Sequence, residues 1–314
     1  MQDMTTEMGC LDPWLEDGNI IITVQGKHFR VHRSVLSFYS EVFRDMFAVS
    51  HPCDDEEEMM DGCPVVRLQD AVADVEIILK ALYDRSYIFF PETPMPISVL
   101  SAFLRMGKKY VIRQLFKEAE RRLSFGTSPL VQLSTISAAG NVILFPRVSG
   151  ADPFNFMVMN LASEVGLLSI VVIAVFYCCV ACPAFSIVDG YEYNGIWYDL
   201  SAVNKRYCFL VQRYLAEVEK QLSQCLAFPA HNCIYGLTSQ SPCYSGLLSN
   251  IRSIQCLKCP FTLWMNTWDH DLCVPCRAEL RRKHEEARSR LWKNLPVDLG
   301  LGHWESLDKD AEMI

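Results

Sequence analysis

Hydrophobic and polar residues alternate near the N terminus in a way that predicts two short strands. Ile20, Ile22 and Val24 share one face of the first strand, and the alternation resumes with Phe29 and Val31 after a Gln-Gly-Lys turn. A strand that alternates in this way buries one face and exposes the other. The pattern therefore predicts a hairpin that forms part of a small sheet.

After the hairpin the spacing of apolar residues changes to that of helices. Ser34 begins one predicted helix, and Ser40 is suited to cap the start of the next. A short strand at 64–68 precedes a helix at 74–83, in which apolar residues recur at i, i+3, i+4 and i+7. Two further helices are predicted at 97–106 and from 112 to 123, separated by a break at Gly-Lys-Lys-Tyr.

From residue 153 onwards the pattern predicts a second, helical domain. Helices are predicted within 153–182, over 200–222, and from 276 to about 292. The C-terminal tail carries large apolar residues that are expected to pack onto this domain: Trp292, Leu295, Leu299, Leu301 and Trp304. We see no internal repeat at a fixed period.

Residues 165–182 form an 18-residue run without charge, which allows two interpretations. A membrane span needs about 20 apolar residues and is usually flanked by Lys or Arg, and neither flank here is basic. The short length and the polar flanks favour a buried core helix. A membrane span stays open as the alternative.

Composition narrows the class of protein. The 314 residues are 50% hydrophobic, which is ample for folded cores, and the formal net charge is −8 with a pI near 5.4. This acidity argues against a nucleic-acid partner for the protein as a whole. The N terminus lacks the pattern of a secretory signal, and 14 cysteines without one indicate a reducing compartment, either cytoplasmic or nuclear.

Two CxxC pairs give the strongest chemical pattern. Cys256 and Cys259 precede Cys273 and Cys276 at a spacing that suits one structural zinc ion bound by four thiolates. Cys276 also lies near the predicted start of a helix, where the helix dipole favours a thiolate. The sequence therefore predicts these four cysteines as metal ligands.

Other interpretations of these cysteines stay open. Four semi-buried cysteines without metal are one, and redox chemistry at the Cys-Val-Pro-Cys pair is another, although no apolar strand precedes the pair. His231, Cys233 or Cys243 could replace one of the four sulfurs. His284 lies on the apolar face of the last helix and is predicted to be a packed residue rather than a ligand.

No catalytic motif is present in the sequence. There is no P-loop, no dinucleotide-binding glycine pattern, no GxSxG and no HExxH. The mixed-charge run RAELRRKHEEARSR is typical of a solvated helix face, with nucleic-acid contact as the lesser possibility. We therefore predict that the chain is not an enzyme.

Several phrases in a fixed order carry a resemblance to a known family. They are His32-Arg33, Val35-Leu36, Ser40 to Phe43, and the runs CPVVRLQD, LKALYDR and LRMGKKYVIRQLFKEAERRL. Together they resemble a BTB/POZ domain, and in particular the large group of fungal BTB domain-containing proteins. The resemblance covers about residues 14–125. It implies that this part works through its surfaces, and that His32 is buried and hydrogen-bonded to backbone.

The resemblance also suggests how the domain meets its partners. BTB domains commonly dimerise through the first helix and strands, which implies Phe38 and Tyr39 as exposed contact residues and Phe43 as a core residue. Metazoan-type dimers place an Asp before the first strand, paired with a basic residue after the histidine. Here Asn19 stands at that position, while Arg33 keeps the basic partner.

Together these observations predict an α+β protein: an N-terminal BTB/POZ domain with a short mixed sheet and helices, then a mostly α-helical domain with a cysteine-rich end. The predicted division is a tail at 1–13, the BTB/POZ domain at 14–125, a connecting segment at 126–152 and the helical domain at 153–314. The predicted function is BTB-mediated dimerisation or docking of a protein partner. The alternatives are a substrate adaptor of a cullin-type ubiquitin ligase and a transcriptional or chromatin regulator.

Overall fold

The computed structural model describes residues 9–48, 58–84, 93–123, 145, 147–153, 155–236, 238–257 and 259–307 of the 314-residue chain. The described residues divide into two compact units, one made of residues up to 123 with 145 and 147–151, the other of residues 152–307. Most of the predicted connecting segment, 126–152, lies outside the described residues.

The N-terminal unit is built around a five-stranded mixed sheet with the strand order β1-β3-β2-β5-β4. Its strands are β1 (Cys10–Trp14), β2 (Ile20–Val24), β3 (Lys27–Val31), β4 (Met59–Met60) and β5 (Cys63–Leu68). The predicted hairpin is confirmed as the antiparallel pair β2–β3, in which Gln25 and Gly26 both take positive φ in the two-residue turn. β2 also pairs in parallel with β5, so that every residue of β2 is buried.

The first helices of the N-terminal unit are α1 (Arg33–Tyr39), α2 (Glu41–Ala48) and α3 (Val72–Tyr83). The predicted cap is confirmed, because Ser40 Oγ accepts the backbone N–H of Phe43 at 3.0 Å. The same hydroxyl donates a hydrogen bond to the backbone carbonyl of Tyr110. One buried serine thus joins the start of α2 to the end of a later helix.

The later helices are α4 (Ile97–Lys109) and α5 (Arg113–Leu123), and a two-residue strand β6 (Met95–Pro96) before them pairs with β7 (Val148–Ser149). The predicted break at 107–110 is present, but it begins at Tyr110, because α4 continues through Gly107 to Lys109. Gly107 lies where a Cβ atom would come within 3.0 Å of Phe116, which shows that the glycine serves close helix packing.

β1 was not predicted. It pairs in parallel with β3, and its residues Cys10–Trp14 cross the predicted boundary between the tail and the domain. The sequence CLDPW shows no alternation, so that the strand is defined by its partner rather than by its own pattern.

The C-terminal unit is mostly helical, as predicted. Its helices are α6 (Phe156–Val165), α7 (Leu168–Ala181), α8 (Ala184–Asp189), α9 (Ala202–Cys225), α10 (Pro242–Gln255) and α11 (Val274–Asp298). α10 was not predicted, and neither was the hairpin of β8 (Tyr191–Tyr193) and β9 (Ile196–Tyr198). The tail packs as expected, with Trp304 stacked on Trp292 and donating its indole N–H to the carbonyl of that residue at 3.1 Å.

The uncharged run 165–182 is divided between two helices in the structure. α6 ends at Val165, Gly166 takes the left-handed conformation, and α7 contains only 14 residues. Eight of those residues are buried, which confirms a core helix. Among the described residues, no helix combines the length and the apolar character that crossing a membrane requires.

Candidate metal centre and docking surface

Four cysteines from three parts of the C-terminal unit lie close together. The sulfur atoms of Cys233, Cys243, Cys273 and Cys276 are all within 4.8 Å of one another. Cys243 lies in the first turn of α10, two residues after the N-cap Ser241. Cys273 is the N-cap residue of α11, and Cys276 lies in the first turn of that helix. Two helix N-termini, which carry partial positive charge, therefore lie next to the same group of sulfurs.

The spacing of the sulfurs suits a tetrahedral metal site. Cys233 Sγ and Cys273 Sγ are 3.8 Å apart. With zinc–sulfur bonds of about 2.3 Å, the edge of a tetrahedron of four sulfurs is about 3.8 Å, whereas a disulfide needs about 2.05 Å. The four thiols are free cysteines, so their sulfurs are available to a metal ion.

Backbone amides donate hydrogen bonds to two of the four sulfurs. Cys276 Sγ accepts the N–H of Ala230 at 3.3 Å, and Cys243 Sγ accepts the N–H of Cys273 at 3.2 Å. Burial raises the pKa of Cys273, but the nearby N–H groups of Ile234 and Cys276 and the neighbouring thiols outweigh it and bring the pKa down to about 7. Such N–H donors around thiolate sulfurs are the outer contacts that a metal site uses to fix its ligands.

Cys233 differs from the other three in its surroundings. It lies in the connection between α9 and α10 and is half-buried, whereas Cys243, Cys273 and Cys276 are buried. Among the described residues of 227–240, only Ala230 is buried. The connection thus has almost no hydrophobic core of its own at the point where Cys233 joins the cluster.

The predicted ligand set must be corrected in two of its four members. Cys273 and Cys276 are in the cluster, but Cys256 and Cys259 are not. Cys243 and Cys256 lie at opposite ends of α10, 13 residues apart, which corresponds to about 20 Å at about 1.5 Å per residue. A metal ion held by Cys243 is therefore out of reach of Cys256.

Cys256 and Cys259 have other environments. Cys256 is exposed and closes the C-terminal end of α10, where its N–H bonds to the carbonyl of Arg252 at 3.2 Å. Cys259 is buried, and that burial raises the pKa of its thiol to about 11 against smaller opposing effects of the Phe261 amide and Arg288. Cys259 is thus a packed thiol, which was one of the alternatives left open by the sequence.

The histidines are also outside the cluster. His231 is exposed, and His284 is fully buried between the rings of Trp264 and Trp268 at centroid distances of 5.7 and 5.3 Å. The structure places His284 as a packed residue, as predicted. Burial, with a smaller contribution from Arg288 that Glu285 opposes, lowers its pKa to about 4.

In the N-terminal unit, α1 presents an exposed aromatic pair. The side chain of Phe38 is 79% exposed and meets Tyr39 edge to face at 5.0 Å between ring centroids, while Tyr39 itself is half-buried. Phe43 is only 1% exposed and stacks on Tyr110 at 4.5 Å, which agrees with its predicted place in the core. On α1, the apolar surface available to a partner is thus Phe38 with the free part of Tyr39.

The motif residues His32 and Arg33 are held by local contacts. The ring of His32 is half-buried, with Nδ1 3.3 Å from the hydroxyl of Tyr83 and Nε2 3.3 Å from a carboxylate oxygen of Asp17. Its ring therefore meets two side chains, and the expectation of a buried histidine that is hydrogen-bonded to backbone was wrong in both respects. Asn19 accepts the backbone N–H of Arg33 at 2.8 Å, whereas the guanidinium of Arg33 bonds to the carbonyl of Phe47 and lies over its ring. Arg33 and Asn19 thus form no side-chain pair of the metazoan type.

Comparison with known proteins was informative for the N-terminal part of the chain. No curated protein and no solved structure matches the chain with significance. The family model of the BTB/POZ domain matches residues 15–125, which contain four of the five strands of the mixed sheet and the helices α1 to α5. BTB/POZ domains are in general protein–protein interaction modules. We conclude that residues 15–125 of this chain are a BTB/POZ domain.

Proposed function

We propose that this chain is a non-enzymatic interaction protein of the cytoplasm or nucleus, whose BTB/POZ domain self-associates through α1 and whose helical unit is held by one structural zinc ion. The observation that carries the first part is the aromatic side chain of Phe38, which is 79% exposed on the short helix α1. A fully buried Phe contributes about 1.5–3 kcal/mol, so an exposed one is available to stabilise a contact with another protein.

Self-association can be measured on the full chain by sedimentation velocity across a concentration series. Phe38→Ser should weaken it at least tenfold, since removing one buried aromatic from each copy costs more than about 1.4 kcal/mol. Phe209→Ser is the matched control, because Phe209 is 67% exposed on α9 of the other unit. A wild-type chain that stays monomeric at high concentration would contradict the proposal, as would an equal effect of the two substitutions.

A cullin is the alternative partner for the same surface. If the chain is an adaptor of a cullin-type ubiquitin ligase, a purified cullin should bind the wild-type chain, and Phe38→Ser should weaken that binding while Phe209→Ser does not. Binding to a cullin by a monomeric chain would favour the adaptor over self-association.

The four-cysteine cluster supports a structural rather than a catalytic zinc ion. Four thiolates complete the tetrahedron and leave no position for water or substrate. The ion would join the start of α10, the start of α11 and the poorly buried connection that carries Cys233. Because that connection has so little core, metal binding would supply part of its folding energy.

Two buried cysteines test the ligand set directly. Purified protein should contain about one zinc per chain, and Cys243→Ser should lose it and expose residues 226–276 to protease. Cys259→Ser should keep the zinc, since Cys259 is equally buried but lies outside the cluster. Zinc that is retained in Cys243→Ser and lost in Cys259→Ser would restore the spacing-based ligand set and refute the present one.

A further inference from the structure

We propose that Cys233 is the oxidation-sensitive ligand of the metal centre, and that a peroxide releases the zinc by joining Cys233 to Cys273 in a disulfide. The inference rests on the proposed zinc site and adds a modification site to it. It starts from the observation that the four sulfurs have unequal surroundings.

Access is the first difference. Cys243 and Cys276 are 0% exposed and Cys273 is 7% exposed, whereas Cys233 is half-buried. A peroxide or another small electrophile that arrives from solvent therefore meets the sulfur of Cys233 first. The reagent would have to open a helix start to reach any of the other three.

Nucleophilicity is the second difference. Hydrogen bonds from backbone N–H groups draw electron density from a thiolate and stabilise it, which lowers its reactivity. Cys276 and Cys243 each accept one such bond from a backbone N–H. The sulfur of Cys233 lies among the other three sulfurs, with that of Cys273 at 3.8 Å. Cys233 also lacks a place in a helix first turn, whose dipole stabilises the other three thiolates.

The position of Cys273 determines the product of the oxidation. In the first step the Cys233 sulfur attacks a peroxide oxygen, the S–O bond forms, the O–O bond breaks and the departing hydroxide takes a proton to become water. In the second step the Cys273 sulfur, 3.8 Å away, attacks the Cys233 sulfur; the S–S bond forms, the S–O bond breaks and a second hydroxide leaves as water. Two thiolates lose two electrons to one peroxide, and zinc is left with two thiolate ligands.

The consequence would be local to the C-terminal unit. Two thiolates hold zinc far more weakly than four, so the ion would leave. The connection between α9 and α10 would then lose its zinc-mediated link to Cys243 of α10, while the disulfide would keep it joined to Cys273 at the start of α11. Reduction of the disulfide would restore the site. The zinc content of this unit would thus depend on the redox state of the compartment.

The test uses the zinc-loaded full chain and two probes. N-ethylmaleimide is added at low concentration, and peptide mass spectrometry follows the labelling of the four ligand cysteines over time. Cys233 should be labelled about tenfold faster than Cys243, Cys273 or Cys276. Exposed Cys256 serves as the reference for an unhindered thiol. Labelling that begins at another ligand, or at all four together, would overturn the inference.

Hydrogen peroxide is the second probe, with a zinc-sensitive dye as the readout. Zinc release should accompany a loss of two mass units and a Cys233–Cys273 cross-linked peptide. Cys233→His, which leaves a Cys₃His site, should slow release about tenfold more than Cys243→His does. Each variant is first analysed for bound zinc. If a variant contains none, the N-ethylmaleimide labelling of the wild-type protein decides the inference. Purified protein without zinc would refute the metal site itself, whereas zinc with a different cross-link would refute only this inference.

Discussion

His284 gives the C-terminal unit a dependence on pH that can be calculated from its surroundings. The side chain is 0% exposed, and neither ring nitrogen has a hydrogen-bond partner among the residues that the structure describes. The adjacent Trp268 has an unpartnered indole N–H within that same described part. A proton on this ring would place a charge against two indole rings and near the cation of Arg288, and the exposed Glu285 would oppose it in part. The ring should therefore stay neutral in the folded protein.

The sign and size of the effect follow from linkage. The pKa of His284 is about 4 in the folded chain, and that of an unfolded histidine is about 6.5. Between these values the unfolded chain binds more protons, so the free energy of unfolding falls as the pH falls from about 6.5 towards about 4. Lowering the pH from 7 to 5.5 should reduce the free energy of unfolding by about 1.2 kcal/mol through this one residue. At pH 5.5 the histidine is protonated in most unfolded molecules but not in the folded ones.

Urea unfolding followed by tryptophan fluorescence measures this cost. Five of the six tryptophans lie in the C-terminal unit, and Trp264 and Trp268 contact His284 directly. With a denaturant slope of about 2 kcal/mol per M, the His284 contribution should lower the midpoint by roughly 0.6 M between pH 7 and 5.5. His284→Gln should remove that part of the shift, whatever its effect on stability at pH 7.

Comparison of the slopes of wild type and variant separates His284 from other titrating groups, including the thiols of the four-cysteine cluster. His303→Gln is the matched control, because His303 lies at an exposed position of the same unit. NMR titration of the histidine rings gives an independent value. A buried ring that titrates near 6.5, or a His284→Gln variant with the wild-type slope, would refute the reasoning.

Two predictions concern the BTB/POZ domain. Ser40→Ala removes the α2 cap and leaves the buried carbonyl of Tyr110 without its donor, which should lower the free energy of unfolding by about 2–4 kcal/mol in calorimetry. The control Ser34→Ala, at an exposed position of α1, should change it by less than about 0.5 kcal/mol, and equal effects would contradict the role of Ser40. Gly107→Ala should lower the free energy of unfolding of the domain by about 1–3 kcal/mol despite the higher helix propensity of alanine, because the added methyl group meets Phe116. An unchanged or raised melting temperature would show that α4 and α5 can move apart without cost.

The parts of the fold that the sequence predicted are those whose signal is local. Alternation over a few residues predicted β2 and β3, and helical spacing predicted α3, α5 and α9, because each element buries a face that its own residues define. Ser40 was predicted as a cap for the same reason, since the hydroxyl and the N–H that it accepts are three residues apart. The family resemblance then supplied the order of the elements.

The misses have different causes. β1 depends on parallel pairing with β3, and no pattern within five residues can show a remote partner. The predicted break at 107–110 was placed three residues too early, because α4 continues through Gly107, where the absence of a Cβ atom allows close packing against Phe116. For the second hairpin a local signal was available, because Asn194-Gly195 between Tyr-rich segments is the dipeptide that a two-residue turn favours, and both residues take positive φ.

The four-cysteine cluster shows why spacing alone is a weak guide to a group of residues from distant segments. Two CxxC pairs fit zinc when nothing is known of the chain between them, but α10 places Cys256 about 20 Å from Cys243. A better signal was the pair of Pro-Cys dipeptides, 242–243 and 275–276, because proline is favoured in the first turn and the cysteine beside it then lies at the positive end of a helix. Cys233 has no such signal. Cys233 belongs to a connection that buries little apolar surface. A segment that the hydrophobic effect does not hold in place can be held by a metal ion bound to its cysteine.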